Sequence, residues 1–494
     1  MFPSSKSLKI TIFAITPLNT TIMKIKLLLL FFGLSFITAS AQFGPQQIIS
    51  NNVSGASRAI PYDVDSDGFI DIISAYSTKI VWFRNQDGQG NFSEEQIITN
   101  SAFATDNMEL FDLNNDGYLD IIYKTNLSKF AWLENLDGLG TFGTEQIIVD
   151  APYPSYLDVA DIDGDGDLDI STIVFSPPIF KSIIWYENLD GQGNFGTAIN
   201  IETTPDNPQS LELFDLDNDG DQDIICSFNN GPARIIWYEN LDGLGNFDSY
   251  KEIYQFPVSP NSAPNSSWTV INNIVSSDFN NDGKIDLLID TTLDEPVVEH
   301  IYWLENLDNQ GSFGLPQHIH NEHIASGSLL PFDIDNDGDL DILVGIYEFN
   351  HLENSTIAWF KNEDGLGDFG VIQIISTEVI RAKDASAADL NGDGLPDVIS
   401  ASSYDNKVAW YGNSVLEIQD NHQNKITLYP NPTNGKLYIN SKQEIVLVEV
   451  YDLVGKKVLE TKTEIDLSNL VSGIYFVKIE DQNGFSETHK VIKE

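Results

Sequence analysis

Seven times in this chain, oxygen-bearing side chains occupy the first, third, fifth and ninth places of a nine-residue stretch whose sixth place is glycine. The sets are Asp63, Asp65, Asp67 and Asp71; Asp112, Asn114, Asp116 and Asp120; Asp161, Asp163, Asp165 and Asp169; Asp215, Asp217, Asp219 and Asp223; Asp278, Asn280, Asp282 and Asp286; Asp333, Asp335, Asp337 and Asp341; and Asp389, Asn391, Asp393 and Asp397. Glycine permits a sharp turn, the seventh residue offers its backbone carbonyl, and the side chains then converge on one point. Carboxylates so crowded repel one another strongly unless a cation discharges them. A solvated hairpin turn has no use for that arrangement. All-oxygen ligation suits a hard ion, calcium rather than zinc; magnesium is disfavoured because it demands tight octahedral geometry and retains its waters. The pattern predicts up to seven calcium ions, held more weakly in the three loops whose third residue is Asn. Metal binding of this kind contributes directly to folding free energy.

Short strands must position these loops. A tryptophan ends an apolar run at Trp82, Trp132, Trp185, Trp237, Trp303, Trp359 and Trp410, and a turn such as Asn240-Leu-Asp-Gly243 follows. A phenylalanine then opens another run, at Phe43, Phe92, Phe142, Phe195, Phe247, Phe313 and Phe369. The runs are brief, rich in Ile and Val, and bounded by Gly, Asp and Asn, as strands and hairpin turns require. Four strands in about 50 residues is the period of a propeller blade. The expected fold is all-β: a seven-bladed β-propeller over residues 42–413, followed by a small β-sandwich. Because the first Phe run precedes the first acidic loop and the last Trp run has no Phe run after it, the N-terminal strand is expected to complete the last blade. The Trp residues read as packing aromatics rather than a sugar-binding ladder.

Charge and composition exclude several classes. Lys and Arg number 26 against 74 Asp and Glu, a net charge of −48. That surface repels phosphate, which argues against nucleic acid and anionic membranes as partners. A single cysteine, Cys226, precludes an internal disulfide and, set in an apolar run, reads as core. Near the N-terminus, Met23-Lys24-Ile25-Lys26, the apolar Leu27–Ile37 and Ala39-Ser40-Ala41 read as a signal peptide, with Met23 a candidate start and residues 1–41 removed. No other run is apolar enough to span a membrane, so none is expected in the mature chain.

The acidic loops and Trp runs resemble FG-GAP-like (VCBS-like) repeats, the blade unit of integrin-type propellers, over about residues 43–413. The resemblance implies calcium between the first and second strands of each blade, and no single activity. Composition shifts after residue 413; a polar linker, 414–424, leads to Leu428-Tyr-Pro-Asn-Pro-Thr-Asn-Gly435, Val448-Glu-Val-Tyr-Asp-Leu-Val-Gly-Lys456, Leu470-Val-Ser-Gly-Ile-Tyr-Phe-Val-Lys478 and Lys490-Val-Ile-Lys-Glu494. Residues 425–494 resemble a type IX secretion system C-terminal sorting domain. That implies engagement of the type IX machinery, passage to the outer surface or beyond, and removal of the tail with release or surface attachment.

Function beyond metal binding is expected where the repeat is irregular. Loop starts are 49 to 56 residues apart, except for 63 between Asp215 and Asp278. The excess is a Pro/Ser/Asn-rich insertion, Gln255–Ser267, and Ser176–Lys181, Thr291–His300 and Ile346–Ser355 read as further long connections. On or flanking such connections stand Tyr153, Phe175, Phe180, Phe256, Trp268, Tyr347, Phe349 and His351, which would suit an extracellular glycan or protein ligand in an adhesion module. The alternative is an extracellular polysaccharide lyase or hydrolase. Its only local hint is the set His300, His318, His320, His323 and His351, and no G-x-S-x-G, H-E-x-x-H or P-loop is present. No catalytic residue is assigned. A purely structural surface component is a third reading.

Overall fold

The computed structural model describes residues 42–493 except 104–107, 126–128, 152, 177–179, 205, 230–231, 258–268, 295–296, 321–324, 349–350, 415–426, 442–443, 454–455, 463–464 and 482–485. The expected signal peptide, most of the linker, Trp268, His323 and Phe349 lie outside the described residues. The chain divides into two compact units, one of them Ala41–Val415.

All described elements of that unit are strands, arranged in seven four-stranded antiparallel sheets. The first comprises Ala56–Tyr62, Asp71–Tyr76, Lys79–Phe83 and Gln96–Thr99, hydrogen-bonded in chain order. Five more repeat this order, starting at Met108, Ser155, Pro208, Thr269 and Ala325. The seventh takes its first three strands from Ala382–Ala388, Asp397–Ser402 and Lys407–Tyr411, and its fourth from the chain's beginning, Gln47–Ser50. There Gln47 faces Trp410, and Phe43 bridges to Asn413.

Burial explains the composition of each strand. Second strands such as Asp71–Tyr76 and Asp223–Phe228 are buried on both faces, so they read as continuous apolar runs. Fourth strands such as Gln96–Thr99 lie outermost and half-exposed, with a register shift against the third strand in every one of the seven sheets. An irregular, short, outer edge resists pairing with other chains.

Seven apolar cores lie between sheets. Ile73 and Trp82 of the first sheet meet Ile121 and Leu133 of the second, and successive sheets pack alike. The seventh core joins Ile72 and Phe83 of the first sheet to Ile399 and Trp410 of the last. Cys226 is fully buried in one of these cores, as expected.

Three expected loops are strand at each of their described residues. Asp286–Asp294 runs into Val297–Leu304, Asp341–Glu348 into His351–Phe360, and Asp169–Ser176 into Phe180–Tyr186. These hairpins lengthen because their Thr, Val and Tyr residues continue the pairing, Thr291 opposite His300 and Phe175 opposite Lys181. Tyr347, on one of these hairpins, and Phe256, at the start of the insertion, are core residues, whereas Tyr153 is 71% exposed, its ring edge-on to Phe175.

The second unit contains a three-stranded sheet, Thr427–Tyr429, Lys436–Asn440 and Ile465–Asp466, and a four-stranded sheet of Ile445–Tyr451, Lys457–Thr461, Gly473–Asp481 and Ser486–Lys493. Leu437, Ile465, Val448, Val477 and Val491 form its core.

Candidate metal centres

Each acidic stretch connects the first and second strands of a sheet and is shaped by its own carboxylates. The first Asp accepts the N–H of the glycine five residues on, in all seven loops, at 2.8–3.0 Å. The fifth-place Asp turns one oxygen to the N–H two residues further on, as Asp67 does to Phe69 at 2.9 Å. The ninth-place Asp is buried at the start of the second strand. One of its oxygens accepts the N–H of the loop's second residue, and the other that of an asparagine after the Trp strand: Asp71 takes Val64 and Asn85, at 3.2 and 2.6 Å.

Positions one, three and nine converge. In Asp63/Asp65/Asp71, Asp161/Asp163/Asp169, Asp215/Asp217/Asp223 and Asp333/Asp335/Asp341, one oxygen from each residue lies within 4.8 Å of the others. Oxygens 2.3–2.6 Å from a common ion span that separation. Asp67, Asp165, Asp219 and Asp337 stand outside these groups of three, occupied with the turn backbone. In the other three loops Asn114, Asn280 and Asn391 take the third place; the Asn114 amide donates to Asp116 at 3.1 Å and to Glu134 at 3.2 Å.

Two observations fit a divalent ion. One oxygen each of Asp65, Asp217 and Asp335 is buried without a hydrogen-bond partner, a costly state for a carboxylate with nothing to coordinate. The carboxyls are also held up. Burial, opposed by backbone N–H donors, raises Asp71, Asp120, Asp169, Asp223, Asp341 and Asp397 to about 7, and Asp286 to about 6. Burial, then Asp219 and Glu239, raises Asp217 to about 6, and burial, then Asp165, raises Asp163, with Glu187 adding to the push. Each folded loop thus resists ionisation that a cation would relieve.

The asparagines three residues after each Trp were not singled out from the sequence as functional. Asn85, Asn135, Asn188, Asn240, Asn306, Asn362 and Asn413 are all buried. Each side-chain amide donates to the carbonyl of the second loop residue in the preceding sheet: Asn135 to Val64, Asn188 to Leu113, Asn240 to Ile162, Asn306 to Leu216, Asn362 to Phe279 and Asn413 to Ile334. Asn85 of the first sheet donates to Leu390 of the last, at 2.9 Å. Their signal was recurrence at one fixed offset in every repeat. Beside them, turn glycines admit the neighbouring sheet's Trp: at Gly193, with φ of +76°, a Cβ would sit 2.3 Å from the Trp132 ring.

Of the histidines, His300 and His318 come together, their rings 5.1 Å apart with Tyr302 against both. His318 is exposed on the fourth strand. The side chains of His320, His323 and His351 lie outside those described.

Repeated four-stranded antiparallel sheets with an acidic turn between the first two strands define a β-propeller-like protein. The chain belongs to the FG-GAP-like repeat family, whose model matches residues 63–123, 173–226, 215–289, 278–344 and 333–400. Residues 427–494 match the secretion system C-terminal sorting domain, which directs export through the type IX system to the cell surface or outside. Among solved structures, BBS1N in complex with ARL6DN, soaked with lead, is similar over 76% of this chain and 98% of that one, at 9% identity and a TM-score of 0.48. An arginine-to-alanine mutant of AofleA from Arthrobotrys oligospora is similar over 67% and 90%, at 12% identity and a TM-score of 0.40. No curated protein matches the chain. Among the described residues no helix is long and apolar enough to cross a membrane.

Proposed function

We propose that residues 42–413 form a closed seven-bladed propeller, stabilised by calcium in its acidic loops, that serves outside the cell as a ligand-binding or adhesion module for a glycan or a protein. The observation that carries the calcium reading is the convergence of three carboxylates in four loops, with an orphaned buried oxygen in three of them. The ligands would be the loop oxygens of positions one, three and nine, position five joining on rotation away from its turn, with Asn in place of Asp in three loops. Closure is supported by the core and the Asn85–Leu390 bond joining the first and last sheets, and by the N-terminal strand in the seventh. Residues 414–424 serve as a linker and 425–494 as the export domain, removed after passage.

The family to which the chain belongs supplies a rigid scaffold without a set activity, and the export tail puts it where glycans and foreign proteins are met. A glycan and protein-array screen of the chain, with calcium and with chelator, tests the reading. Calcium-dependent retention without depolymerisation supports a binder. Release of new reducing or unsaturated ends would instead make it a polysaccharide hydrolase or lyase, and a screen with neither retention nor release would overturn the binding role.

A further inference from the structure

The residue two places after each strand Trp stands beside the acidic loop of its own sheet, and its charge varies around the molecule: Arg84, Glu134, Glu187, Glu239, Glu305, Lys361 and Gly412. In the first loop, Arg84 Nε lies 2.5 Å from Asp65 and a terminal guanidinium nitrogen 2.8 Å from Asp67. In the sixth, Lys361 Nζ touches Asp335 and lies 2.7 Å from Asp337. Both cations hold the third- and fifth-place carboxylates, reaching in from the neighbouring strand. The Asp65 side chain is only 9% exposed, so this pairing is partly shielded from solvent. Asp65 and Asp335 each still keep one buried oxygen without a hydrogen-bond partner. The third and fourth loops have the same four aspartates but a glutamate in the cation's place: Glu187 in the third and, in the fourth, Glu239, which itself pairs with Lys251. Lys284 in the fifth loop differs: it belongs to the loop itself and, among the described residues, pairs with the fifth-place Asp282 rather than the third-place Asn280.

We propose that Arg84 and Lys361 are tethered counter-ions, which let the first and sixth loops keep their fold without calcium and make them weaker calcium sites than the third and fourth. The inference rests on the calcium reading of the loops. Between a loop with a tethered cation and the third loop, with Glu187, the local charge differs by two at otherwise equal ligand sets, and by one for the fourth, where Lys251 pairs with Glu239; ligand charge count is a main determinant of calcium affinity. A cation already seated on two ligand carboxylates must also be displaced, or share them, when an ion arrives.

Calorimetric calcium titration of the full chain, paired with melting curves in chelator, tests this. The double variant Arg84→Gln with Lys361→Gln should tighten two sites roughly tenfold. It should melt below wild type in chelator and recover in millimolar calcium. The reciprocal change Glu187→Lys should remove one tight ion without lowering the calcium-free melting temperature, and Arg84→Lys should behave as wild type. A double variant with the wild-type isotherm and the wild-type melting temperature in chelator overturns the proposal, as does a Glu187→Lys chain that keeps its full set of tight ions. A wild-type chain that takes up no calcium sinks the calcium reading and the affinity claim with it. The counter-ion role is then decided by the chelator melting curves, where an unchanged double variant refutes it.

Discussion

At the scale of single residues, the buried asparagines matter as much as the acids they sit beside. Asn188 donates to Leu113 and Leu168 and accepts from the Gly193 N–H, spanning two sheets and a turn. Replacing it with Ala leaves several buried backbone groups without partners, so urea unfolding should show a loss of about 2–3 kcal/mol. Gly193→Ala should cost at least about 1–3 kcal/mol, because the new methyl meets the Trp132 ring at a φ that favours glycine. The convergence of loop aspartates at places one, three and nine was legible in the sequence, because their fixed spacing about a glycine turn brings side chains together. Asn188 was not, because an Asn before Leu-Asp-Gly is also what any turn would use, and only its position against the neighbouring sheet separates latch from turn.

Within the loop, burial and crowding set the pH response. The ninth-place carboxyls, raised to between about 6 and about 7, bind protons more readily in the folded chain than in the unfolded one, where 3.8 is the ordinary value. Without calcium, their contribution to stability is therefore full below about pH 4 and is lost as pH rises through about 7. The calcium-free chain should melt higher at pH 5 than at pH 8. With calcium the order should reverse, since binding requires the ionised carboxylates and releases their protons. Melting temperatures at the two pH values, in chelator and in calcium, check both halves. Strand existence and order at this scale were readable from the alternation of short apolar runs and turns. The long hairpins were not, because Thr291-Thr-Leu-Asp-Glu-Pro296 has the composition of a loop, and pairing across Asp286–Asp294 and Val297–Leu304 overrides it.

For the whole molecule, the offset of the seven Phe runs against the seven Trp runs was enough to place the first strand in the last sheet, since each sheet needs one of each. Removing residues 43–50 should leave the third strand of the seventh sheet, Lys407–Tyr411, as a bare edge. Such a chain should melt lower and self-associate, seen as larger species on size exclusion. That placement brings the first and last sheets together, but which side chains meet there, Ile72 and Phe83 against Ile399 and Trp410, could not be read from the sequence, because they lie at opposite ends of the repeat array. A chain with seven carboxylate-rich loops and a net charge of −48 should depend on cations as a whole. A site held at 100 times its dissociation constant adds about 2.7 kcal/mol. The most direct measurement is the melting temperature of the full chain in chelator and in millimolar calcium, with magnesium as control: calcium should raise it by many degrees and magnesium far less, whereas equal melting temperatures in chelator and in calcium would contradict the account.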